Sequence, residues 1–234
     1  MRRLLVSIYL LNLLAGSVMA QSEKVKNQPY ADMKLFHLGF HVGLHTQDLI
    51  LTNTGAVTTN GETWFAEIPI YSPGFSVGMI GDMFMNPYFN LRFIPSIHFG
   101  DKKIVFREYE SGEEHTVTVR SNYLTFPLEV KYSSFRLNNY RPYLTAGVYG
   151  AFDLGRKKGE SILLKGTDYG ITLGVGCDIY LPYFKLCPEL KFHFGLRNLL
   201  ETNRTDLTQP ELGIYTDALS KATSRMIILT FNFE

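Results

Sequence analysis

The stretch KLFHLGFHVGLHTQD, Lys34 to Asp48, alternates strictly: Phe36, Leu38, Phe40, Val42 and Leu44 are apolar, and His37, Gly39, His41, Gly43 and His45 fall between them. A period of two is the signature of a β-strand, whose successive side chains point to opposite faces. One face here is wholly apolar, and the other carries small or protonatable groups. Two architectures accept such a strand. A soluble sandwich or lipocalin-like barrel buries the apolar face, whereas a barrel in a bilayer turns it outward to lipid.

The pattern recurs along the chain. Alternation predicts seven further strands, at 75–85, 89–99, 117–132, 143–154, 168–180, 186–199 and 225–233. In the third, every odd position from Phe89 to Phe99 is apolar except Pro95, which removes one ladder bond and predicts a local bulge. In the fourth, the apolar parity switches near Asn122, which also predicts a bulge. The connections alternate long and short. The long ones, 49–72, 100–116, 155–166 and 200–223, are polar and read as loops, while Asn86-Pro87, 135–142 and 181–185 read as tight turns. An even strand count with short periplasmic turns and longer extracellular loops is the layout of bacterial outer-membrane barrels. Gly39, Gly43, Gly147, Gly174 and Gly176 share the polar face, where a narrow lumen needs small residues, and bulky Phe and Leu crowd the other. The expected fold is all-β: an eight-stranded antiparallel transmembrane β-barrel over 34–234, with short periplasmic turns and long extracellular loops.

The N-terminal residues fit this destination. Arg2 and Arg3 precede an apolar run, Leu4 to Leu14, and the small residues up to Ala20 suit cleavage before Gln21. This reads as a secretory signal peptide over 1–20, since the run is shorter than the ~20 residues a spanning helix needs. Residues 21–33, polar and containing Pro29, read as an extended periplasmic lead-in. A net charge of +1 from 23 basic and 22 acidic residues gives no ground for a nucleic-acid partner. The short run Arg156-Lys157-Lys158 reads as a solvated loop. The 14 Tyr and 17 Phe suit interfacial aromatic girdles.

Cys177 and Cys187 are symmetric about Pro182, so a hairpin there would set them opposite each other. Parity opposes a disulfide. Cys177 falls with Ile171, Leu173, Val175 and Ile179, but Cys187 falls with Glu189, Lys191 and His193, and directly paired residues share a face. Free thiols are expected unless a bulge shifts the register.

His37, His41 and His45 invite a metal reading, but neighbours along a strand are roughly 13 Å apart and the outer two roughly 26 Å. They cannot share one ion, and are expected to be hydrogen-bonded lumen residues. The same face collects Asp82, Arg92, Glu129, Lys131, Asp153, Asp178, Glu189, Lys191 and Arg197. An eight-stranded barrel is only wide enough for side chains to fill, and charges in such a space must pair. A plugged, salt-bridged lumen follows, with no conducting pore. No nucleophile motif is present, so no catalytic, cofactor-binding or metal residues, and no small-molecule substrate, are expected. A lipid-modifying enzyme using His98 and Asp101 near a strand end is the weaker alternative, because no converging set is visible.

The segment PYADMKLFHLGFHVGLHTQDL, Pro29 to Leu49, together with the eight-strand layout and the signal peptide, resembles the PorT family of Bacteroidetes outer-membrane β-barrels. The resemblance spans the mature chain and is most specific in the first strand. It implies a non-enzymatic component of the type IX secretion system, which exports proteases and adhesins and supports gliding in relatives. Its implied partners are outer-membrane lipid and other secretion subunits, and it supplies no catalytic residues. A generic outer-membrane barrel of the same clan is the alternative.

Overall fold

The computed structural model describes residues 25–55, 62–67, 72–155, 162–202 and 213–234. The expected signal peptide and the Arg156-Lys157-Lys158 run lie outside the described residues. Twelve strands are found among those described: β1 (Phe36–Asn53), β2 (Trp64–Glu67), β3 (Pro73–Phe84), β4 (Phe89–Phe93), β5 (Ser96–Phe99), β6 (Asp101–Glu108), β7 (Glu114–Arg120), β8 (Tyr123–Ser133), β9 (Tyr140–Asp153), β10 (Thr167–Tyr180), β11 (Lys185–Gly195) and β12 (Leu219–Phe233).

Eight staves form a ring in the order β1, β12, β11, β10, β9, β8, β4 with β5, and β3. All pairings are antiparallel, and β1 closes the ring by pairing with β12 on one side and β3 on the other. Closure leaves the staves no free edge, which hydrocarbon surroundings require. The alternation sorts as expected for a membrane barrel. Leu38, Leu44 and Val148 face outward at 74%, 63% and 58% exposure, while His41, Arg92 and Glu129 face inward at 3%, 0% and 0%. The apolar band is therefore the outer surface, not the core, which excludes a lipocalin-like arrangement.

The lumen is tight enough to dictate glycine at particular rungs. A Cβ on Gly78 would stand 2.5 Å from Ser96 Oγ and 2.6 Å from Pro95 O, and one on Gly43 would stand 2.8 Å from both Leu229 O and Ser76 Oγ.

The strand count corrects the sequence reading. Residues 49–72 and 100–116 are not simply polar loops: β1 continues to Asn53, and β2, β6 and β7 build a second sheet in the order β2-β6-β7. Trp64 and Ala66, Ile104 and Phe106, and Val117 and Val119 share one face of it and are buried with Leu164, Leu199, Leu200 and Ala222. These short alternations are interleaved with Lys, Glu and Thr, and so read as polar in sequence. The parity switch near Asn122 is not a bulge. It is the junction where β7, in the second sheet, hands over to β8, in the barrel.

Pro95 interrupts its stave without shifting it. Phe93 pairs with Leu128 and Ser96 with Thr125, so one register continues across the break. Ile94 N donates to Pro127 O and Met79 N to Pro95 O instead. The segment 200–223 likewise holds structure: a short helix α1 (Gly213–Asp217), then β12, which starts at Leu219 rather than Arg225.

Candidate functional site: the lumen and its two rims

Four inward-facing cations, Arg92, Lys131, Lys185 and Lys191, are buried in the periplasmic half of the lumen. Arg92 on β4 crosses to Glu189 on β11 at 3.2 Å and to Glu234 at 2.6 Å, with Asp82 at 3.5 Å. Lys191 meets Glu129 at 2.8 Å and Glu189 at 3.7 Å, Lys131 meets Asp178 at 2.8 Å, and Lys185 meets Glu234 at 2.6 Å. Glu189 also accepts hydrogen bonds from Tyr143 Oη, Thr145 Oγ1 and Asn232 Nδ2. Desolvating so many ions is costly, and only dense pairing with extra hydrogen bonds offsets it.

Seven of the nine expected lumen charges belong to this network. Asp153 instead stands half-buried at the extracellular mouth. Arg197 is not in the lumen: it lies half-exposed past the end of β11 and donates to Thr167 O at 3.2 Å. Two further members lie outside the expected set: Lys185, in the expected turn 181–185, opens β11, and Glu234, one residue past the expected last strand, continues the inward set Thr230 and Asn232.

Histidines occupy the middle of the lumen. His41 Nε2 lies 2.8 Å from Ser96 Oγ, His45 Nε2 lies 3.0 Å from Gln47 Nε2, and His98 Nε2 lies 3.1 Å from Thr125 Oγ1. The His45 and His98 rings meet edge to face at 5.2 Å, and His193 stacks on Tyr149 at 4.7 Å. His37, nearer the periplasm, meets Ala31 O at 2.5 Å. Each strand-one histidine thus has its own partner. Among the described residues no group of three or more His, Cys, Asp or Glu is placed to hold a metal ion. Two internal cavities of about 10 Å³ each, space for about one water apiece, lie among these side chains.

His98 and Asp101 do not converge. His98 is buried in the lumen, while Asp101 is exposed on the outer face of β6, so a site built on that pair is excluded. The cysteines are both free, with Cys187 fully buried inside and Cys177 on the outward parity of β10.

At the extracellular rim, Lys102 Nζ donates to Tyr123 Oη at 3.1 Å beneath the second sheet. Burial lowers its ammonium to about 8, against the opposing pull of Asp153, Asp168 and Asp48. Tyr215 of α1 caps the sheet's core, 5.4 Å from Trp64, 5.0 Å from Phe106 and 4.6 Å from His115 between ring centroids. The sheet is thereby a packed platform on the barrel.

At the periplasmic rim, the lead-in is pinned and ends in a 3₁₀ turn, Ala31–Met33, rather than trailing extended. Arg136 donates to Gln28 O, Asn27 O, Asn138 O and Asn139 Oδ1, with its guanidinium 3.6 Å over the Tyr180 ring. Tyr180 Oη donates to Asp32 at 2.7 Å, and Arg141 stands 3.4 Å from the same carboxylate. Both rims are therefore packed structure around a filled lumen.

Comparison with solved structures gives outer-membrane barrels at low identity. OprG from Pseudomonas aeruginosa matches with 11% identity and a TM-score of 0.48, covering 84% of this chain and 94% of its own. Neisserial surface protein A matches with 11% identity and a TM-score of 0.43, over 85% and 98%, and the outer membrane protein AlkL with 12% and 0.38, over 92% of each. No curated protein matches the sequence. The family model described as outer membrane protein beta-barrel domain matches residues 19–201, well over half of the chain. With its closed ring of staves and lipid-facing apolar band, this chain is an outer-membrane protein and belongs to the outer membrane protein beta-barrel domain family.

Proposed function

We propose that the protein is a non-enzymatic component of the type IX secretion machinery, acting through contacts made by its rims and not by passing cargo through its lumen. The observation that carries this reading is the filled lumen: Arg92 bonded to Glu189 across the ring leaves no route for even an extended polypeptide. A barrel that transmits nothing works by what it presents outside. This one presents a packed three-stranded platform above the membrane and a pinned lead-in below it. The resemblance of Pro29 to Leu49 to the PorT family supplies the identity of the machine. Deleting the gene should leave secreted proteases and adhesins in the periplasm. Re-expression of the intact chain should restore export, and unimpaired export in the deletion strain would remove this reading.

A further inference from the structure

The lead-in crosses the periplasmic mouth. It joins β1 beside His37, whose Nε2 meets Ala31 O, and its other end sits at the β8–β9 hairpin tip, where Asn27 N donates to Asn139 Oδ1 at 2.9 Å. β1 and β9 are four staves apart in either direction round the ring, so the segment runs across the full diameter. It is a strap over the filled lumen.

Two side chains read the main chain of this strap. Asn139 accepts from Asn27 N and donates through Nδ2 to Val25 O at 3.1 Å, and Arg136 donates to Asn27 O and, at 3.2 Å, to Gln28 O. The guanidinium is itself set by Asn138 O and the face of Tyr180, and Tyr180 N donates to Asn139 O at 2.9 Å, so the two turns form one preorganised clamp. The amides of Asn27 and Gln28 donate to Tyr180 O at 3.0 Å and Leu181 O at 2.9 Å. Four residues after Gln28, the Asp32 carboxylate meets Tyr180 Oη and Arg141. The clamp therefore selects a short segment with an amide pair followed, four residues on, by a carboxylate.

Nothing apolar fastens the strap. Its 3₁₀ turn buries no residue, and Val25, Tyr30 and Met33 are exposed, so none of them packs on the barrel. Release forfeits hydrogen bonds that water replaces, without opening a core. Gln28 holds φ at +48°, a left-handed conformation that residues other than glycine rarely adopt, so the clamp keeps its own strap strained. Recognition through main-chain groups also tolerates changes of sequence.

We propose that the strap is a displaceable occupant of a peptide-binding clamp, and that a segment of a periplasmic partner subunit with the same amide-then-carboxylate chemistry takes its place. This deepens the reading of a protein that acts through its rims, and rests on that reading for the partner. Tethering gives the strap an effective concentration in the millimolar range, which the partner must outcompete. The strain at Gln28 lowers that threshold.

Fluorescence anisotropy of a labelled peptide of residues 25–33, added to the full-length protein in detergent, tests the clamp. The readout does not depend on export, so its failure is separate from a failure of the secretion reading. In the variant Asn27→Pro/Asp32→Ala the strap loses an N–H, an amide and its carboxylate, while every clamp residue stays. That variant should bind the peptide at least about tenfold more tightly than the wild type, whose clamp is filled. Asp32→Asn in the peptide should weaken binding about tenfold. Adding Arg136→Ala to the protein variant should abolish binding, with heat-modifiable migration confirming a folded barrel in each case. Any of four outcomes would overturn the proposal: no binding by the double variant, equal binding by wild type and double variant, binding that survives Arg136→Ala, or a wild-type dimer in detergent that Arg136→Ala dissolves. The last would assign the clamp to exchange of lead-ins between two copies of the chain.

Discussion

Arg92 and Glu189 lie on diametrically opposite staves, four positions apart in either direction round the ring, and still meet at 3.2 Å. A direct bond across the full diameter is possible only in a lumen that side chains fill. Arg92→Met would strand the carboxylates of Asp82, Glu189 and Glu234, at a cost of about 3–5 kcal/mol. Urea titration of the folded, heat-modifiable band in detergent should show the loss. Reconstituted wild-type protein should show no single-channel steps in a planar bilayer, and discrete conductance would contradict the sealed lumen.

The outer and inner faces of one stave differ in how they fail. Phe93 faces lipid, and Phe93→Arg should cost about 2–4 kcal/mol near the bilayer midplane and impair assembly. An arginine at Ser96, which faces a charged lumen, is expected from sequence to be milder. The packing reverses that expectation, since Ser96 is 3% exposed and wedged between His41 Nε2 and the position of Gly78. Even Gly78→Ala should cost about 1–3 kcal/mol by overpacking, and Ser96→Arg should fail to assemble. A normally assembled Ser96→Arg barrel would show that the lumen yields.

Lys102 makes stability depend on pH. Its folded pKa is lowered, from the ordinary 10.5 to about 8, so the unfolded chain binds more protons between those values. Stability contributed by this site therefore rises as pH goes from 8 to 10, and below 8 the penalty of charging is fully present. Thermal denaturation in detergent at pH 7 and pH 10 should show the rise in the wild type and its loss in Lys102→Met. An identical slope in both proteins would assign the effect elsewhere.

The two thiols should behave differently. Mass measured without reductant should show no disulfide, and an alkylating probe should leave Cys187 unmodified until the barrel unfolds, because it is fully buried. The register sets Cys187 opposite Asp178 rather than Cys177.

Arg136→Ala should release the lead-in. The variant should gain protease cleavage within 25–33 while the barrel itself stays resistant, and an unchanged digestion pattern would show that the pinning has another source.

The staves were legible because lipid on one side and a polar lumen on the other impose a clean period of two over 11 residues or more, as in β8 and β10. The second sheet was hidden because its strands are short, and outward Lys103, Arg107 and Thr118 dilute the signal from Ile104, Phe106 and Val119. Rereading positions 104, 106, 117 and 119 as two alternating pairs would have exposed it. The charged lumen was legible as a set of inward residues, but not as a circuit. Which ion meets which depends on ring order and on the closure of β1 against both β3 and β12, and neither is written in local pattern.

Glu234 joins Arg92 of β4 to Lys185 of β11, and it follows β12, the stave whose docking on β1 seals the ring. The end of the barrel is therefore latched as well as laddered: one carboxylate ties three staves together at the periplasmic mouth, so peeling β12 away would uncouple Arg92 and Lys185 in the same movement.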